Sequence, residues 1–108
     1  MPDVLLSLTM PEDVAQEVED LLLSRPDLVS GFTAIQVDGH GSVVRLVRAD
    51  ELVRGHSPRV QIQSVGDEVA MRKVVSLLRS EMPQANIFYW LLPVQNAAGK
   101  HFLLAAAG

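Results

Sequence analysis

Three histidines, a run of arginines and two closely spaced glycines are the residues through which this chain could do chemistry. His40 sits between Gly39 and Gly41 and two places after Asp38, and His56 follows a long excursion. If the two ends of that excursion meet, the imidazoles of His40 and His56 with the Asp38 carboxylate form a donor set suited to a divalent ion, namely zinc, copper or nickel. The competing reading is a pair of ordinary exposed loop histidines, because no short His-x-x-x-His spacing is present. His101 reads as a surface residue near the C-terminus. Gly39 and Gly41 let the backbone approach an anion, with Arg54 and Arg59 to supply charge; a plain turn explains the glycines equally. Neither Gly-x-Gly-x-x-Gly nor Gly-Lys-Ser/Thr occurs, so a phosphate loop has no support. Arg45, Arg48, Arg54 and Arg59 outnumber Asp50 and Glu51 in an otherwise acidic chain of net charge −4. That local excess suits an anionic ligand or an acidic partner surface, unless the loop is merely solvated.

Catalysis is not expected. Cysteine is absent, which removes disulfides, thiolate metal sites and thiol nucleophiles. None of the serines stands in a Gly-x-Ser-x-Gly turn, and most carboxylates belong to the wet side of one helix. The acidic balance and five aromatic residues give no footprint for nucleic acid. Met1-Pro2-Asp3 carries no basic region, and Val4 to Leu8 is too short for a signal core or a membrane span, so a cytoplasmic protein without membrane insertion is expected.

These residues must be positioned by a small set of elements. The 108 residues are 48% hydrophobic, enough for one core, and residues 1–108 read as one domain. Val4 to Leu8 is a buried strand that stops at Thr9. Thr9-Met10-Pro11-Glu12 reads as a capping box, opening a helix to about Ser24 whose Val14, Val18, Leu21 and Leu22 form one apolar stripe. Val29 to Val37 reads as a strand closed by Asp38-Gly39-His40-Gly41. The stretch 43–53 fits no single period. Arg59 to Gln63 alternates as a half-buried strand, Asp67 opens a helix through about Glu81, and Ile87 to Leu92 is an aromatic strand ended by Pro93. Residues 100–107 read as a short terminal strand or a loose end.

Strand, helix, strand, strand, helix, strand closes into an α+β, ferredoxin-like βαββαβ domain: a four-stranded antiparallel sheet with two helices on one face. A long excursion, about 38–58, separates the second and third strands. One layer of helices cannot bury both faces of Ile87-Phe88-Tyr89-Trp90-Leu91-Leu92, so one set of alternate residues is left as an association surface.

The order Gly31-Phe32-Thr33-Ala34-Ile35-Gln36-Val37-Asp38-Gly39-His40-Gly41, the excursion, Arg54-Gly55, then Pro58-Arg59-Val60-Gln61-Ile62 resembles the second strand, T-loop and third strand of PII signalling proteins. Ile87 to Val94 resembles their fourth strand. Glu51 to Gly55 with Tyr89-Trp90 and Pro93-Val94 is similar to an uncharacterised proteobacterial PII-like family encoded near heavy-metal efflux pumps of the resistance-nodulation-division class. The resemblance implies a homotrimeric regulator with effector sites in the clefts between subunits, docking through its T-loop on a membrane transporter or efflux pump. It implies Gly39 and Gly41 as the flexible loop base and Arg59 as a basic site residue. The glycine- and lysine-rich loop and the arginine pair that hold nucleotide in true PII proteins are missing, so their ATP site is not expected here. Two alternatives are a metal-binding protein using Asp38, His40 and His56, and an acylphosphatase-like hydrolase. The latter wants an arginine phosphate cradle that neither Asn86 nor Asn96 accompanies.

Overall fold

The computed structural model describes residues 2–40 and 57–95. Its elements are β1 (Asp3–Pro11), α1 (Glu12–Leu23), β2 (Thr33–Gly39), β3 (Ser57–Asp67), α2 (Glu68–Glu81) and β4 (Phe88–Pro93). The four strands form one sheet in the order β2-β3-β1-β4, every neighbour antiparallel. This is the ferredoxin-like arrangement expected from the sequence.

Alternation along the strands sorts the sheet into two faces. Val4, Leu6, Leu8 and Met10 of β1 and Ile62 of β3 point into the core, where they meet Ala15, Val18 and Leu22 of α1 and Met71, Val74, Val75 and Leu78 of α2. Each of these apart from Ala15 contributes roughly 1.5–3 kcal/mol by leaving water. Leu77 of α2 stays partly exposed, whereas Val75 is buried.

The helix starts differ in kind. Asp67 caps α2, its carboxylate accepting from the amides of Val69 and Ala70 at 3.0 and 3.3 Å, and Glu68 pairs with Arg72 one turn on at 2.9 Å. The capping box expected at Thr9 does not form. Thr9 is still in β1, opposite Gln61 and Phe88, and the N-cap of α1 is Pro11 with no side-chain cap. Pairing with β4 as far as Thr9 and with β3 as far as Pro11 holds β1 extended three residues beyond Leu8, so Thr9 cannot turn into the helix. Glu12 and Asp13 in the first turn still complement the helix dipole.

Two other boundaries move. Val29 is buried but lies in a turn, where its amide and that of Leu28 bond back to the Arg25 carbonyl, so β2 begins only at Thr33. In the other direction β3 runs from Ser57 to Asp67, because β1 pairs with it along nine positions. Residues 100–107 and the interior of the excursion lie outside the described residues.

Candidate functional site

The base of the excursion is the last two rungs of the β2–β3 ladder, Asp38 opposite Pro58 and Gly39 opposite Ser57. The chain therefore leaves and re-enters the sheet side by side, the condition on which the candidate metal and anion sites depend. Asp38 and His40 are exposed here. Arg59 is the next residue inward, flanked by Val37 on one side and Pro11 on the other, and only 1% of it is exposed. A guanidinium is costly to bury without polar company, and Asp38, His40 and Arg59 each have at least one bonding or electrostatic contact within the chain. Strand alternation sets Asp38 and Arg59 on opposite faces of the sheet, so the two charges are close along the ladder without sharing a surface. Gly41, Arg54 and His56, the other residues expected at this site, lie outside the described residues. Among the described residues, which do not include His56, no three histidine or acidic side chains cluster in a way that could hold a metal.

The face of the sheet turned away from the helices has a defined pattern. Phe88, Trp90 and Leu92 of β4 line one side and Ile35 and Val37 of β2 the other, with Ser7, Thr9, Gln61, Gln63 and Arg59 in a polar band between them. Trp90 is 46% exposed and Leu92 48%. Of the two alternating sets in the aromatic strand, it is therefore Phe88, Trp90 and Leu92 that the helices leave uncovered. Within the band the Ser7 and Thr9 hydroxyl oxygens are shut away from solvent and make no hydrogen bond.

A third feature was not visible as a site in the sequence. Between the C-terminal half of α2 and β4 lies a cleft of about 240 Å³ whose walls include Val75, Leu78, Met82, Ile87, Tyr89 and Arg79. Arg79 Nη2 donates to Tyr89 Oη at 3.0 Å, and the guanidinium carbon lies 5.4 Å from the ring centroid. Helical periodicity alone points Arg79 outward, away from the core. Its partner could have been anticipated from one signal: Tyr89 shares parity with Ile87 and Leu91, so it falls on the helix side.

The architecture belongs to a class with solved representatives. A protein from Thermus thermophilus, proposed to be a PII-like signalling protein, superposes with a TM-score of 0.61 at 14% identity, over 87% of this chain and 88% of that one. A point variant of CutA1 from Pyrococcus horikoshii gives 0.66 at 11% identity, over 89% and 87% of the two chains. At such identities the likeness is one of fold alone. More narrowly, residues 1–101 match the model of the DUF3240 family, described as a protein of unknown function, and the chain belongs to that family. A DUF3240 protein from Shewanella baltica superposes with a TM-score of 0.64 at 16% identity, covering 94% of this chain and 99% of that one. No curated protein matches the chain in sequence.

Proposed function

We propose that this protein is a homotrimeric regulator that works by binding rather than by catalysis: a small effector is held in the cleft between subunits near Gly39, Gly41, Arg54 and Arg59, and the excursion 38–58 docks on a cytoplasmic surface of a membrane transporter, in our reading a heavy-metal efflux pump. The observation that carries the reading is the uncovered sheet face. Trp90 and Leu92 on one margin of that face and Ile35 on the other are exposed apolar side chains of the kind that soluble proteins cover by association. Among the described residues the outer edges of β2 and β4 are also unpaired, and open edges invite pairing with another chain. Three copies packing these faces together would cover both features and place the excursion bases at the subunit boundaries. Docking and effector binding are then coupled, since an effector that favours one arrangement of the segment shifts its population toward the docked form.

Light scattering on the purified chain tests the assembly. The expected mass is three times the 11.8 kDa of one chain, and Trp90→Asp should reduce it to the monomer by burying a carboxylate in the interface. A wild-type monomer at micromolar concentration would sink the proposal.

The paired rungs at Gly39 and Ser57 favour a second reading, in which His40, one step beyond the first, and His56, one step before the second, bind zinc, copper or nickel with Asp38. Titration calorimetry with each ion separates the two. Unchanged affinity in a His40→Ala, His56→Ala double variant would remove these ligands.

A further inference from the structure

We propose that the cleft between α2 and β4 binds a small organic carboxylate, a single ring or a short branched chain carrying one anionic group, with Arg79 as its recognition residue. The cleft is built within one chain and on the helix side of the sheet, so the proposal rests neither on the assembly nor on the excursion.

The walls set the size and character of the ligand. Leu8, Val75, Leu78, Met82, Ala85 and Ile87 supply an apolar floor. An apolar cavity of roughly 150 Å³ is enough to take up benzene, so the 240 Å³ here accommodates one ring with a substituent but not a nucleotide. The rim sets the charge. Arg25 and Arg72 are committed to Asp27 and Glu68 at 2.8 and 2.9 Å. Arg79 instead is held against a neutral phenol, and among the described residues no carboxylate pairs with it. A guanidinium has five donors in a planar fork. One of Arg79's is given to Tyr89 Oη, which fixes the fork beside the cleft and leaves other donors to a ligand. Among the described residues no carboxylate lines this cleft; Glu17 and Glu81 line the neighbouring hollow across Met82 and Pro83. An apolar floor with a pre-positioned cation at its rim selects a planar carboxylate with a hydrophobic body, because the body fills the floor while both oxygens reach the fork. A bare phosphate gains the cation and forfeits the floor.

The test is a two-dimensional amide NMR titration of the full chain with three probes: benzoate, benzyl alcohol and inorganic phosphate. Benzoate should shift amides around Leu78, Met82, Ala85 and Tyr89, with a Kd on the order of 1 mM, as expected for so few heavy atoms. Arg79→Gln should weaken benzoate roughly tenfold or more, the usual worth of a hydrogen bond to a charged group, and leave benzyl alcohol unchanged. Arg72→Gln, at the far side of the adjoining cleft, should leave benzoate binding intact. The proposal is overturned if benzoate causes no localised shift, if benzyl alcohol binds as tightly as benzoate, if phosphate matches it, or if Arg79→Gln is without effect. The exposed position of Arg79 keeps the variant folded, which its unchanged spectrum away from the cleft would verify.

Discussion

Replacing Ser7 by alanine should make the isolated chain more stable, and the size of the effect can be worked out from the strand it occupies. Ser7 lies in the central strand β1, with Gln63 opposite on β3 and Trp90 opposite on β4, and is 1% exposed. Its hydroxyl is buried without a hydrogen-bond partner, a state that costs about 1–3 kcal/mol relative to a solvated hydroxyl. Ser7→Ala removes that penalty and forfeits one oxygen's worth of packing, a loss that by the cavity relation is well under ~1 kcal/mol. A net gain of about 1 kcal/mol follows, and at a urea m-value of about 1–3 kcal/mol per molar the midpoint should rise by roughly 0.5 M. The protein's single tryptophan, Trp90, sits across the ladder from the mutated site and reports the transition by fluorescence. Because association stabilises folded chains by mass action, wild type and variant must be compared across protomer concentrations. A loss of about 1 kcal/mol or more at low concentration would refute the reasoning, since Ser7 would then have a partner within its own chain. A loss that appears only where the protein is oligomeric would instead mean that a neighbouring copy supplies that partner.

Three further outcomes follow from local geometry. Asp67→Ala should cost about 1 kcal/mol by freeing the amides of Val69 and Ala70, read as a lower thermal midpoint, whereas Asp67→Asn should recover most of it. Gly66 stands where an added Cβ would lie 3.0 Å from the Met71 terminal methyl, so Gly66→Val should destabilise by about 1–3 kcal/mol, and if the clash is the cause a Gly66→Val, Met71→Ala double variant should lose less than the sum of the two single variants. Arg25 holds the Asp27 carboxyl below the ordinary carboxylate range, first through its hydrogen bonds and then through its charge. A folded-state pKa below the unfolded one stabilises the protein above the unfolded value and is lost as pH falls through the folded one. In a carbon-detected NMR titration Arg25→Ala should therefore move Asp27 up toward the usual range, with little effect on stability for so exposed a pair.

Much of the fold was legible along the chain because binary pattern and local caps point the same way. Val14, Val18, Leu21 and Leu22 mark a helix face whatever they pack against, and Asp67 caps α2 using only amides two and three residues away. What failed is what depends on distant partners. Thr9 has the side chain of an N-cap, yet ladder bonds to Gln61 and Phe88 keep it in β1. Val29 has the branched side chain of a strand residue, yet it fills the core from a turn. At the candidate sites, Asp38, Gly39 and His40 could be named from their spacing. That Arg59 is buried on one face of the sheet, between flanking β1 and β2, while Asp38 faces the other side could not.

Taken alone, the sequence determined six regular segments, their order, and the presence of one more apolar strand face than a single helix layer can cover; each follows from side-chain period and turn chemistry within a few residues. The tertiary structure decided that Phe88, Trp90 and Leu92 are the uncovered set, that a polar band with buried hydroxyls runs between the two apolar margins of that face, and that Arg79 meets Tyr89 above an apolar cleft. Those outcomes depend on strand register, which shifts every side chain to the opposite face when it moves by one residue and is fixed by contacts between segments far apart in the chain.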